Sequence, residues 1–433
     1  MSLITEETSI EKTLEKLEIS PRAEQQTYLQ GGRDIKKRAS DKKKKKKSLG
    51  TKKHESNERI LFKSFVSSSI NFLPETARSL FNESKEVAVY YNEKVYLSGD
   101  DDIVYPDLKD DISHISGKSL LDSKQWKLPY MGSDLYKGQE KYGPMPQELL
   151  DSPIPCFEYI KKWESKNLDT DYGFERKFTF ISPRHHITEI MMTIFESSDN
   201  PSLSLICTHL KGGIIVISED ISNKSCTPSG IHSKNFITRK ICYSGFVFED
   251  LVLTENTEQT RPFFTIVENK ISDSITLLLR CEMDSYNSRT KHYTELKCFS
   301  PLKLNIPQHR RKLLKTWIQT GLMPKSDILI GIRDTQTGLL KDLKWFTRNN
   351  LYRYFNNPNL PKLKSNFNFN ANISVEWLNY CITSITKLVS THLDIEKLEQ
   401  PQSFKIRFDK KNNILMQKLG KVPKNVQIAE NYT

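Results

Sequence analysis

The sequence predicts an α+β fold, with helices and strands interspersed and neighbouring strands joined as hairpins. Three observations carry this. Short apolar runs of strand length recur along the chain, a few longer stretches repeat their apolar residues at helical period, and the two kinds are mixed. The strand-like runs are Val87–Leu97, Phe178–Ile181, Leu203–Cys207, Gly213–Ile217, Phe246–Phe248, Ser274–Met283, Thr294–Phe299 and Ile328–Ile332. The helix-like stretches are Arg184–Phe195, Gln308–Leu322 and Ser374–Leu393.

Each element follows from its residues. Ser274–Met283 and Ile328–Ile332 are nearly continuous apolar runs, as a strand covered on both faces requires. Lys211-Gly212-Gly213 separates two strand-like runs and is expected to be a hairpin turn, since it lacks phosphate-loop spacing. Ser374–Leu393 places Trp377, Leu378, Cys381, Ile382, Ile385, Leu388 and Val389 on one helical stripe, the pattern of a buried face. Trp345-Phe346 and Tyr352–Phe355 are expected to pack rather than to stack on bases.

The chain has 433 residues, with 37% hydrophobic, 27% charged and a net charge of +12. Between Arg33 and Lys53 there are twelve Lys or Arg and two Asp, a local +10, so the rest carries only +2. Residues 1–58 are therefore read as a disordered basic tail, with a short amphipathic helix near Ile10–Leu17. The run Lys42–Lys47 suits a nuclear-import signal, an RNA-gripping arm or a solubilising tail. Residues 59–433 are read as one domain, with no internal repeat or dividing linker. No apolar stretch approaches the roughly 18 residues of a membrane span, and the acidic N-terminus lacks an apolar signal core. Seven separated cysteines without a CxxC pair argue for free thiols in an intracellular protein and against a zinc ribbon or disulfide framework. Cytoplasm is the expected compartment, with the lysine run leaving the nucleus open.

The densest chemical signal lies between Leu277 and Phe299. An apolar strand ends in Glu282-Met283-Asp284, a polar turn follows, and a second strand carries Glu295-Leu296-Lys297. Residues two apart in a strand share a face, roughly 6–7 Å apart. Glu282 and Asp284 should point one way, as should Glu295 and Lys297, and a hairpin between the strands would gather three carboxylates and an ammonium. Clustered carboxylates cannot all ionise unaided. A hard divalent cation such as Mg²⁺ or Mn²⁺ relieves the repulsion, lowers the pKa of a bound water and stabilises charge on a reacting phosphodiester. The acidic and Glu-x-Lys pattern resembles the PD-(D/E)XK nuclease core.

Two further segments sharpen this. Gly245-Phe-Val-Phe-Glu249 precedes the acidic strands, and Trp317-Ile-Gln319 follows them on a helix. With Arg184, Glu282-x-Asp284 and Glu295-x-Lys297, they form an ordered set that resembles the DXO family of decapping exoribonucleases and its Rat-exonuclease-interacting branch. Weaker similarity extends through Ser84-Lys-Glu-Val-Ala and Ile330-Gly-Ile-Arg333 but not into the tail. The resemblance implies two packed β-sheets flanked by helices around a cleft, with a PD-(D/E)XK-like core. It implies that Glu249, Asp284, Glu295 and the Leu296 carbonyl ligate divalent metal, Mg²⁺ or Mn²⁺, as two ions. Glu282 would hold a water beside the metal, and Lys297 and Gln319 would address the nucleophile and the scissile phosphate. Arg184, Glu249, Lys297 and Gln319 would contact substrate, with Arg184 gripping the RNA 5′ phosphate or cap.

The implied activity is metal-dependent hydrolysis at RNA 5′ ends. It comprises decapping of incomplete or noncanonical caps, including NAD caps, and 5′→3′ exoribonuclease action on 5′-phosphorylated RNA. The alternatives are a 5′ pyrophosphohydrolase, a DNA endonuclease on the same chemistry, and a non-catalytic stabiliser of a partner exonuclease. A monomer away from membranes is expected. His185-His186 are expected to be helix-start or surface residues whose rings point to different faces. His309-Arg310-Arg311-Lys312 suits equally a solvated helix face and the wall of an RNA channel.

Overall fold

The computed structural model describes residues 58–60, 65, 84–116, 130–139, 151–166, 178–196, 203–223, 230–255, 262–323, 325–357, 359–360, 371–409 and 411–429. The chain divides into two units, Met1–His54 and Glu55–Thr433, and the described residues belong to the second. The expected helix near Ile10–Leu17 and the Lys42–Lys47 run lie outside them.

Fourteen strands and eight α-helices alternate along the described residues. A ten-stranded sheet contains β1 (Glu58–Ile60), β2 (Lys85–Tyr91), β3 (Lys94–Leu97), β4 (Phe178–Pro183), β5 (Ser204–Leu210), β6 (Ile214–Glu219), β7 (Phe264–Ser272), β8 (Ile275–Glu282), β13 (Gln402–Phe408) and β14 (Ile414–Leu419). Their order is β1-β14-β13-β5-β6-β4-β8-β7-β2-β3. A four-stranded sheet, β12-β11-β10-β9, contains β9 (Ser285–Asn287), β10 (His292–Phe299), β11 (Ser326–Arg333) and β12 (Leu340–Thr347). The helices are α1 (Asp110–Ser113), α2 (Ile154–Lys166), α3 (Arg184–Thr193), α4 (Phe236–Val252), α5 (Pro307–Gly321), α6 (Arg348–Phe355), α7 (Ala371–His392) and α8 (Lys424–Ala429).

The central strands are those the apolar runs predict. β8 lies between parallel β4 and antiparallel β7, with Ile275, Leu277, Leu278, Leu279 and Cys281 all buried. All eight residues of β11 are buried, in parallel pairing with β10. The Val87–Leu97 run splits into the β2–β3 hairpin, because Asn92 and Glu93 both take positive φ, 49° and 56°, as a tight strand reversal requires. Lys211-Gly212-Gly213 joins antiparallel β5 and β6, with both glycines at φ near 75°. The stripe on α7 is buried as expected, and Trp377 Nε1 donates to Thr193 Oγ1 at 2.8 Å, docking α7 on α3. Trp345, Phe346, Tyr354 and Phe355 are likewise buried.

Two expectations are overturned. Phe246–Phe248 is not a strand but part of α4, which Asn235 caps by accepting the Thr238 N–H. The aromatic and β-branched run looks strand-like locally, but Tyr243, Ser244, Phe248 and Val252 form the buried face of a helix begun ten residues earlier. The strand ending in Glu282 also does not pair with the strand carrying Glu295. β8 stays in the large sheet, and only Ser285–Asn287 turn back onto β10, with Ser285 opposite Thr294. The chain changes sheets at Met283-Asp284, where Met283 N still donates to Phe263 O. The acidic residues therefore meet at a junction between sheets rather than across one hairpin.

That junction is fastened by specific contacts. Tyr293 of β10 donates to Glu86 of β2 at 2.5 Å. α4 is pressed onto the small sheet: Phe248 covers Gly331, where an added Cβ would fall 2.6 Å from the ring. Arg333 Nε donates to Ser244 Oγ at 3.0 Å. Gly331→Ala is therefore expected to destabilise the protein by about 1–3 kcal/mol through overpacking. Urea unfolding measures this, and an unchanged midpoint would show that α4 does not bear on β11.

Candidate active site

β10 supplies the centre of the site. Glu295 and Lys297 share a face, as the Glu-x-Lys spacing implies, and Lys297 Nζ lies 2.6 Å from Glu295 Oε1. The same ammonium lies 3.3 Å from Asp284 Oδ2 and 3.0 Å from the Leu296 carbonyl. Asp284 reaches β10 from the sheet junction, and its Oδ2 accepts the Leu296 N–H at 2.8 Å. Three oxygens predicted to hold metal thus converge on one cationic nitrogen.

Arg184 approaches from the opposite side. Pro183 ends β4 in an extended conformation, and Arg184 opens α3. Its Nη1 donates to Glu295 Oε2 at 2.9 Å and its Nη2 to the Glu282 carbonyl at 3.1 Å. Met323 Sδ also packs against the guanidinium. Arg184 is buried, and Glu295 is only 1% exposed. The arginine is committed to an interior ion pair rather than presented to an open cleft.

The three carboxylates are not equivalent. Burial alone would raise the Glu295 carboxyl, but Arg184 and Lys297 outweigh it and hold its pKa at about 2. Burial pushes Asp284 above the usual aspartate value, and Glu295 adds to the rise while Lys297 opposes it. Desolvation by its crowded surroundings and then Asp284 push Glu282 upward, although its side chain reaches solvent at the end of β8. Burial disfavours the Lys297 ammonium, yet Asp284 and Glu295 raise its pKa above the ordinary value. Glu295 is held ionised by two cations, while Asp284 and Glu282 are shifted upward, the division expected when like charges crowd together.

The remaining expected residues lie on helices around this centre. Glu249 occupies the last turn of α4 and interacts electrostatically with Cys298, next to Lys297 on β10. Gln319 is half-buried near the end of α5, the helix followed by Met323 beside Arg184. Sequence reading missed Met323 and Arg280. Arg280 is buried beside the Phe264 ring, 4.5 Å from its centroid, and interacts electrostatically with Glu282 and Asp151. A charged residue inside the run Leu277–Cys281, two positions before Glu282, was the signal for it.

Two basic or histidine signals are also placed. His185 and His186 do start a helix, but their rings are not directed apart. Their centroids are 4.1 Å apart, and His186 is only 2% exposed. Side chains in a first helical turn lean toward the N-terminus, which brings both rings to the same end. In the cluster opening α5, Arg310 donates to Phe355 O at 3.2 Å and Arg311 to Phe195 O, so neither is simply a solvated cation.

The donor set fits a divalent cation. Carboxylates of Asp284 and Glu295 with the Leu296 carbonyl are hard oxygen ligands. The Lys297 ammonium marks where they converge. They sit beside buried cations that prevent the carboxylates from being wholly neutralised by protons.

Most of the chain matches known proteins. The family of RAI1 like PD-(D/E)XK nucleases matches residues 105–433. The Decapping and exoribonuclease protein 1 of Saccharomyces cerevisiae is 42% identical over 377 residues, 85% of each chain. The crystal structure of Kluyveromyces lactis Dxo1, solved in complex with manganese, is 29% identical at a TM-score of 0.60, covering 80% of this chain and 92% of that one. The Rai1 of Scheffersomyces stipitis, solved with 3′-NADP⁺ and calcium, shares the fold at 18% identity and a TM-score of 0.56, covering 80% of this chain and 90% of that one. The PD-(D/E)XK enzymes are hydrolases that use divalent metals. An acidic centre on a strand junction, a Glu-x-Lys strand and a match over three quarters of the chain place this protein in the RAI1-like PD-(D/E)XK nuclease family.

Proposed function

We propose that this chain is a decapping nuclease and 5′→3′ exoribonuclease, hydrolysing the phosphodiester that joins an incomplete or noncanonical cap, NAD included, to RNA. The observation that supports it best is the convergence of Asp284, Glu295 and the Leu296 carbonyl on one ammonium within 3.3 Å. The name of the S. cerevisiae relative and the dinucleotide bound to the S. stipitis protein favour RNA 5′ ends as the substrate class.

In this reading Glu249, Asp284, Glu295 and the Leu296 carbonyl hold divalent cation, Mg²⁺ or Mn²⁺, as two ions. The cation supplies a more acidic water and charge stabilisation for the phosphodiester. Glu282, exposed at the end of β8, holds the attacking water and accepts its proton. Lys297 and Gln319 face the scissile phosphate, where negative charge develops in the transition state. Arg184 keeps Glu295 ionised and oriented, and contributes to the 5′ end through that carboxylate. The protein acts as a monomer within the cell, in the cytoplasm, with the Lys42–Lys47 run as an added RNA contact or nuclear-import signal.

EDTA is expected to abolish hydrolysis of 5′-phosphorylated RNA, and Mn²⁺ or Mg²⁺ to restore it. Asp284→Ala should lower kcat about 10³-fold, the scale of losing one electrostatic stabiliser. The two metal-site carboxylates should then diverge in stability. Asp284→Ala should cost less, about 1–3 kcal/mol, because it leaves the Leu296 N–H and one side of Lys297 without an acceptor. Glu295→Ala should cost about 3–5 kcal/mol, because it strands a buried guanidinium. Equal melting of the two variants would remove Glu295 from its role as counter-ion.

Arg184→Ala distinguishes positioning from end recognition. A positioning arginine lowers kcat on 5′-phosphorylated and 5′-hydroxyl RNA alike. An arginine that grips the terminal phosphate loses mainly the phosphorylated substrate, with a rise in KM. The interior ion pair leads us to expect the first outcome, and steady-state kinetics on both RNAs decides it.

A further inference from the structure

Outside the acidic centre, three other side chains meet at the start of α3. His185 and His186 lie in its first turn, and Asp151 stands three residues before α2. His185 Nε2 is 3.1 Å from Asp151 Oδ1. One nitrogen from each imidazole and one carboxylate oxygen all lie within 4.8 Å of one another. His186 is buried, and neither of its ring nitrogens has a hydrogen-bond partner; the nearest charged group is Glu189 Oε2, 3.8 Å from Nδ1. A buried polar group without a partner costs about 1–3 kcal/mol. An ordinary core histidine avoids that cost with a hydrogen bond, so this ring is held ready for a ligand.

We propose that Asp151, His185 and His186 form a second divalent-metal site, selective for Zn²⁺ over Mg²⁺. Two imidazoles and a carboxylate suit a borderline ion, whereas the Asp284–Glu295 centre offers hard oxygens. Ligand atoms at about 2.0–2.1 Å from a tetrahedral ion lie roughly 3.3 Å apart, and the His185–Asp151 separation is already of that size. Binding requires only that the His186 ring closes toward this pair. Glu189 Oε2, 3.8 Å from His186 Nδ1, can orient the ring by closing on that nitrogen while Nε2 ligates. The fourth position is left to water. The bound ion ties the segment before α2 to the turn that begins with Arg184. The buried guanidinium of Arg280 interacts with both Asp151 and Glu282.

The test uses the full-length protein, stripped of metal by chelation, in buffer with millimolar Mg²⁺. Calorimetry with Zn²⁺ should detect one tight equivalent, and Co²⁺ should give the visible absorption of a nitrogen-ligated ion. A Glu249→Gln, Asp284→Asn double variant should keep both signals. His185→Gln should weaken Zn²⁺ binding about tenfold or more. The His185 side chain is 39% exposed, so this variant should melt with the metal-free wild type. Zn²⁺ should then raise the Tm of wild type but not of His185→Gln, since only a ligand bound to the native state stabilises it. Unchanged Zn²⁺ affinity in His185→Gln would overturn the proposal, as would loss of the Zn²⁺ equivalent in the acidic-centre variant.

Discussion

The Glu295 carboxylate is the constraint on which the rest of this site depends. It is almost wholly removed from water, and burial of an anion is tolerated only with compensation nearby. Two cations supply that compensation, and they come from different places. Lys297 is two residues along the same strand, so the pleat alone delivers it. Arg184 comes from the junction of β4 and α3, in the other sheet, and needs the whole fold to arrive. The ion pair is therefore also a tertiary link. It joins the helix backed by α7 to the strand that α4 covers, and it holds the two sheets in register at the point where Asp284 crosses between them.

This explains which parts of the site could be read from the sequence. Local relations were legible. The Glu295 and Lys297 pairing follows from period two, and the α7 stripe from period 3.6. The buried runs of β8 and β11 follow from uninterrupted apolar residues. Relations set by distant partners were not legible. The strand-like appearance of Phe246–Phe248 gave way to a helix whose buried face is chosen by Gly331 and Arg333, more than eighty residues later. The Glu282 strand could not reveal that it pairs with β7 rather than β10, because its residues fit either partner. The direction of Arg184 was hidden for the same reason: an arginine in isolation suits a phosphate and a carboxylate equally.

The unequal carboxylates follow from the same arrangement. Glu295 receives both cations and stays ionised, leaving Asp284 with a share of Lys297 and Glu282 with weaker support from Arg184 and Arg280. A site with three equivalent anions would repel itself apart or bind protons indiscriminately. Here two cations hold Glu295 ionised, and Asp284 and Glu282 are shifted upward beside it. In the proposed function, Asp284 and Glu295 would hold the divalent cation, with Glu295 already carrying its charge.

The two arginines also set the boundary of the acidic centre. Arg184 and Arg280 are both buried and both sit beside Glu282, the first through its carbonyl and the second electrostatically. On their far side the available donors change character, from carboxylates and a carbonyl to the imidazoles of His185 and His186 with Asp151. Arg280 interacts with both Glu282 and Asp151, so it offsets part of the negative charge that each carboxylate offers an ion. Donor hardness would then distinguish the two proposed sites: oxygen-rich ligands suit Mg²⁺ or Mn²⁺, and imidazoles suit a softer ion. Because Arg184 and His185 are consecutive residues, this separation is achieved within a single helical turn, where one side chain turns inward to Glu295 and the next outward to Asp151.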